Sequence, residues 1–80
     1  MPRYLLHHRH LARECGAVFA SFTGHESSLR HTPTIASCLY GGHEIWWEVT
    51  AGSQQAALAL LPFYVAARTT VLPVAEVEIP

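Results

Sequence analysis

Hydrophobic and polar positions along the 80-residue chain change period several times, and each change marks an element. Tyr4 to His10 sets aromatic and aliphatic residues directly after Pro2 over a strand-sized stretch, which predicts a first strand. Its faces stay open: either Tyr4, Leu6, His8 and His10 point to the core, or Leu5 does and the two histidines turn away. From Leu11 to Phe22 the apolar residues Leu11, Cys15, Val18, Phe19 and Phe22 make one stripe of an amphipathic helix, with Gly24 as its stop. The polar run from Gly24 to Pro33 reads as a loop. Between Thr34 and Val49, two strand-like runs flank Gly41-Gly42, the signature of a tight hairpin. A two-residue turn there pairs Tyr40 with His43, Cys38 with Ile45 and Ala36 with Trp47, which buries Cys38 and leaves His43 near the rim. Ser53 is placed to cap a second helix running to about Arg68, and Pro62 should break it near Leu58. Val71 to Ile79 alternates as a last strand, with Pro73 marking it as an edge.

This βαββαβ order predicts an α+β fold of the ferredoxin-like sandwich type over residues 1–80. It has a four-stranded antiparallel sheet with its first and third strands central and both helices on one face. Trp46 and Trp47 must then point to opposite faces. The uncovered face would carry Ile35, Leu39 and Trp46 beside Ser37, Glu44 and Glu48, too apolar a mixture to leave in water across a whole sheet. The expected partner is a second copy of the chain, docked sheet to sheet.

Composition sharpens this picture. Only 14% of residues are charged, against about 25% for an ordinary domain, which again points to a covered surface. A domain this short gains from a metal, a disulfide or a partner subunit. The formal net charge is -1 with no basic stripe, so nucleic acid is not an expected partner. The chain has no Lys, which excludes Schiff-base and P-loop chemistry, and no Asp, which removes the usual third member of a Ser/His/Asp triad. No apolar run reaches a membrane span, and His7-His8-Arg9-His10 interrupts any signal-peptide core, so the expected compartment is the cytoplasm. In that compartment Cys15 and Cys38 are expected as free thiols or ligands, a disulfide being the alternative.

Chain direction in the expected fold brings the end of strand one, the start of helix one, the hairpin and the Arg68 end of helix two to one end of the sheet. With Leu6 facing the helices, His8, His10, Cys15, Cys38 and His43 meet there. Imidazole and thiolate donors suit zinc, nickel or copper, and a His-x-His on a strand puts both rings on one side. The spacing matches no standard zinc-finger pattern. The alternative reading makes the histidines solvated strand-end residues and the cysteines small core hydrophobes. A second chemistry would use Cys15 as a nucleophile or redox thiol, activated in the first turn of its helix with Arg13 nearby.

In element order the chain resembles the dimeric α+β barrel group, in which two ferredoxin-like subunits join sheet to sheet. That group includes small monooxygenases, isomerases and metal-responsive proteins. The resemblance is one of architecture and carries no motif; it implies a homodimer and leaves a small-molecule enzyme, or a purely structural dimer, as alternatives to metal binding.

Overall fold

The computed structural model describes residues 1–80, arranged as one four-stranded antiparallel sheet with short helices. The strands are β1 (Arg3–Arg9), β2 (Ile35–Ala36), β3 (Glu44–Thr50) and β4 (Thr69–Val74), in the order β2-β3-β1-β4. The helices are α1 (Cys15–Ala20), α2 (Gln54–Leu58) and α3 (Phe63–Ala66). None is long and apolar enough to cross a membrane.

The parity left open in β1 resolves on Leu6. Tyr4, Leu6 and His8 are buried in strict alternation, and they lie opposite Val49, Trp47 and Ile45 of β3, all buried too. One face of the sheet therefore carries the core, closed by Val18 of α1, Ala57 of α2, Leu61 of the α2–α3 connection and Val65 of α3. Leu5 faces the other side with Trp46, whose indole is separated from that of Trp47 by the sheet itself.

Three expectations need correction. The hairpin register is shifted by two residues: Ile35 lies opposite Trp46 and Ala36 opposite Ile45, so the faces are kept but the connection is longer. Ser37 is the cause. Its N–H donates to Glu44 O (2.8 Å), its Oγ accepts the Glu44 N–H (3.0 Å), and its carbonyl accepts from Tyr40 (2.9 Å) and Gly42 (3.0 Å). These bonds close the pairing early and fold Cys38–Tyr40 into a 3-10 turn, ended by Gly41 at φ 83. Cys38 thus leaves the strand and is half-buried at its rim rather than sealed beneath the helices, and Leu39 projects from the turn, not from the open face.

Second, the first helix is shorter than its stripe. Ala12–Glu14 forms a 3-10 turn before α1, Val18 is fully buried, and Leu11 and Phe19 remain over half exposed. Ser21 Oγ donates back to Val18 O (2.7 Å), and Gly24 at φ 82 turns the chain away. Third, β4 stops at Val74, well short of Ile79. Val74 lies opposite Arg3, the first residue of β1, so the alternating Ala75, Val77 and Ile79 have no strand to pair with.

The second helical segment breaks where proline requires it. Ser53 Oγ accepts from Ala56 N (3.0 Å) to cap α2, which ends at Leu58, four residues before Pro62; α3 restarts directly after. Pro73 lies in β4, an edge strand, where a missing donor costs no ladder bond.

Candidate metal centre

Four side chains from separate pieces of chain converge where β1 ends. His10 follows β1, Cys15 opens α1, Cys38 opens the turn after β2 and His43 precedes β3. One nitrogen or sulfur of each lies within 4.8 Å of all the others, an arrangement that can hold a metal ion.

Backbone pairing sets the two histidines side by side. His10 N–H donates to His43 O (3.1 Å), extending the β1–β3 ladder by one bond, and the two rings meet edge to face with centroids 5.3 Å apart. His43 adopts φ 52, an uncommon conformation for a residue with a side chain, and its Nδ1 is buried with no hydrogen-bond partner. His10 Nε2 lies 3.7 Å from Cys38 Sγ. Cys38 and His43 are held by the Ser37 bonds on either side of Gly42. A Cβ at Gly42 would stand 2.7 Å from Ser37 Cβ and closer still to its hydroxyl, so the loop needs glycine there for space.

Cys15 is anchored through its neighbour. Glu14 Oε1 accepts the Leu11 N–H (2.8 Å), while Oε2 accepts from Arg68 Nε (3.2 Å) and Nη2 (3.0 Å). The Leu11 amide and then the Arg68 guanidinium hold the Glu14 carboxyl below its usual range. Arg68 also stacks 3.8 Å over the Tyr64 ring and donates to Tyr64 O (2.9 Å), which ties the Cys15 turn to the end of α3.

His8, expected among the ligands, stands outside the group of four and bonds to one of its members. Its Nδ1 lies 3.2 Å from Val65 O, and a carbonyl can only accept, so this nitrogen carries the proton. Thr69 Oγ1 donates to the same carbonyl (2.7 Å). In the neutral ring His8 Nε2 must then be an acceptor, and it faces His10 Nδ1 at 3.0 Å. His10 therefore donates from Nδ1 and keeps a lone pair on Nε2, the nitrogen beside Cys38. The chain Val65 O, His8, His10 fixes a tautomer suited to ligation, as outer-shell partners do for metal-bound histidines.

Electrostatics support the neutral rings. Burial pushes the His8 pKa below its ordinary value, and the adjacent His10 adds to this. Burial likewise lowers His10, with His43 adding to it. Burial pushes the Cys38 thiol up, and the nearby Cys15 thiol pushes it further. Two thiolates here would repel each other at close range, and a divalent cation would remove that cost.

Both cysteines are thiols. Cys15 occupies a short helix preceded by a 3-10 turn that contains Arg13, and Arg68 is engaged by Glu14. Of the remaining histidines, His7 lies on the open face, stacked on Trp46 (5.3 Å) and bonded to Glu44 (2.6 Å); His31 lines a cavity beside α1. Glu76 pairs with Arg3 on the exposed edge. Sequence pattern missed the Glu14–Arg68 tie, although the spacing Leu11-x-x-Glu14 is that of a side chain reaching back to cap its own turn.

Comparison of the chain with protein-family models, with curated proteins and with solved structures finds no match.

Proposed function

We propose that this protein binds a transition-metal ion, zinc foremost, through His10, Cys15, Cys38 and His43, with His8 orienting His10. The observation that carries the reading is the approach of four N and S donors, from four separated pieces of chain, to within 4.8 Å. Two thiols and two imidazoles form a closed tetrahedral set for zinc, with nickel and copper as competitors for the same donors. Tetrahedral zinc with bonds of about 2.0 Å to nitrogen and 2.3 Å to sulfur puts neighbouring N and S ligands about 3.5 Å apart. The His10 Nε2 to Cys38 Sγ separation of 3.7 Å fits that edge. The closed donor set favours a structural role, in which the ion ties β1, α1 and the β2–β3 loop together in a domain with a small core. Metal analysis of protein purified without an affinity tag tests it: about one zinc per chain is expected, lost in His10→Ala, and absence of stoichiometric metal at neutral pH overturns the reading.

The strand order β2-β3-β1-β4, with a single covered face, supports assigning the ferredoxin-like arrangement. We further propose that the open face docks on a second copy. Ile35 is 74% exposed and Leu72 50%; Trp46 lies opposite Ile35, and Leu5 opposite Leu72, on the same face. Those charges are already balanced within the chain, Arg3 by Glu48 and Glu76, Arg9 and His7 by Glu44, so two copies can meet about a two-fold axis without like-charge repulsion. Sedimentation at micromolar concentration should give a dimer that Trp46→Glu dissociates; a wild-type monomer would contradict this assembly.

A further inference from the structure

On the same covered side of the sheet as the metal centre, α1, the loop from Thr23 to Thr34 and the inner face of β2 and β3 surround an open cavity of about 360 Å³, none of whose lining residues is a member of the metal cluster. Its floor and sides are apolar: Phe19 from α1, Phe22 from the turn after it, Trp47 and Ile45 from β3. Phe22 and Trp47 stand with ring centroids 6.2 Å apart and tilted by 48°, a fixed aromatic corner, while Phe19 is left 54% exposed. Such a volume falls in the range of small-molecule sites, which pair apolar walls with a few polar groups.

The polar part of the wall is of one sign. Arg30 is its single permanent charge, and no carboxylate belongs to the lining. The acidic groups that form ion pairs are Glu14, Glu44, Glu48 and Glu76, and their partners are Arg68, His7, Arg9 and Arg3, so Arg30 is left without one. Thr32 Oγ1 and Thr34 Oγ1 already donate to the carbonyls of Leu29 and Thr32. The side-chain donors left for a ligand are the Arg30 guanidinium, the His31 ring, the Thr23 hydroxyl and the Trp47 indole N–H. His31 is held at φ 61, one of two non-glycine residues with positive φ. The segment that carries it runs without helix or strand from Thr23 to Thr34, a length at which irregular loops commonly serve binding.

From this combination we infer a second site, built from residues other than the metal ligands, that binds a small monocarboxylate with an aromatic or branched apolar body. The body fills the corner between Phe19, Phe22 and Trp47, and the carboxylate meets Arg30 at the mouth. An uncharged ligand of the same shape would leave the guanidinium unpaired, and an amine would face a cation. The carboxylate instead gains the fork geometry of arginine, where paired charge-assisted bonds give most of the discrimination.

The test is an amide chemical-shift titration with 3-phenylpropanoate against its uncharged analogue 3-phenylpropanamide. Expected are saturable shifts confined to Phe19–Thr23, Leu29–Ala36 and Ile45–Trp47, with the acid bound at least about tenfold more tightly than the amide. Arg30→Gln, on an exposed loop, should remove that preference while keeping weak binding of both; Ala36→Phe, which fills the cavity from an edge strand, should abolish both. No saturable shift at millimolar ligand, equal affinity for acid and amide, or an unchanged preference in Arg30→Gln overturns the inference. The unperturbed part of each spectrum reports that the variant is folded.

Discussion

Replacing His8 by Phe tests how the metal centre is organised. His8 is fully buried, packs near Trp47 (ring centroids 6.3 Å) and bonds to His10 Nδ1 at 3.0 Å. Phe keeps the ring and the packing. It removes the acceptor that holds His10 in the Nδ1–H tautomer, while Val65 O stays satisfied by Thr69 Oγ1 at 2.7 Å. Loss of an outer-shell partner costs metal affinity by a factor of about 10 to 100, or roughly 1.4 to 2.7 kcal/mol. The metal-free fold should change much less, since the cost of an unpartnered His10 N–H, about 1–3 kcal/mol, is offset by no longer burying a second imidazole. Competition against a chromophoric chelator measures the affinity, and thermal melts in excess chelator measure the fold. His31→Asn, in the loop away from the cluster, serves as control and should bind metal as the wild type does. A His8→Phe affinity within twofold of wild type would refute the claim that His8 orients His10.

Three further outcomes are expected. Gly42→Ala forces a methyl against Ser37 and disturbs the bonds that place Cys38 and His43, so it should cost about 1–3 kcal/mol and weaken metal binding; Gly52→Ala, where an added methyl meets nothing within 4 Å, should fall within about 0.5 kcal/mol of wild type. In chelator, stability should fall with acidification in two windows. His8 and His10 have folded pKa values lowered from 6.5, so below that pH the unfolded chain takes up protons first and stability drops. Glu14 and Glu44 are lowered from 4.5, so their contribution is complete above that pH and is lost as pH falls through their folded values; denaturant melts from pH 8 to 3 should show both declines, and a flat profile between pH 7 and 5 would contradict the first. Zinc binding at pH 7.5 should release about two protons, one from each thiol, read by calorimetry in buffers of different ionisation enthalpy; release near zero would mean that the thiols are not ligands.

Much of the architecture was legible because its signals are local. Pro62 dictated the break after Leu58, Ser53 the cap of α2, and Pro73 an edge position. What failed was set by pairing partners that hydrophobic periodicity does not encode. The end of β4 depends on where β1 begins, at Arg3, and no alternation in Val71 to Ile79 encodes that. The hairpin register turned on one hydroxyl, Ser37 Oγ, capturing the Glu44 N–H, whereas the Gly41-Gly42 pair alone suggested the tighter turn. Parity in β1 could not be read from Leu5 and Leu6, which are equally apolar; it is fixed by pairing Leu6 with Trp47 across the sheet. Because the register slipped by two and not by one, the faces survived, and four of the five anticipated cluster residues still meet. His8 was placed correctly on their face, but its buried position behind His10 is a matter of depth, which spacing does not carry.

The most direct test of the metal centre is the absorption spectrum of the protein titrated with cobalt(II) in place of zinc. Two thiolates and two imidazoles in a tetrahedron should give intense visible d–d bands and a thiolate-to-cobalt charge-transfer band, saturating at one equivalent and displaced by zinc, with the charge-transfer band about halved in Cys15→Ser or Cys38→Ser. A weak, octahedral-type spectrum without charge transfer, unchanged by either serine substitution, would contradict the account.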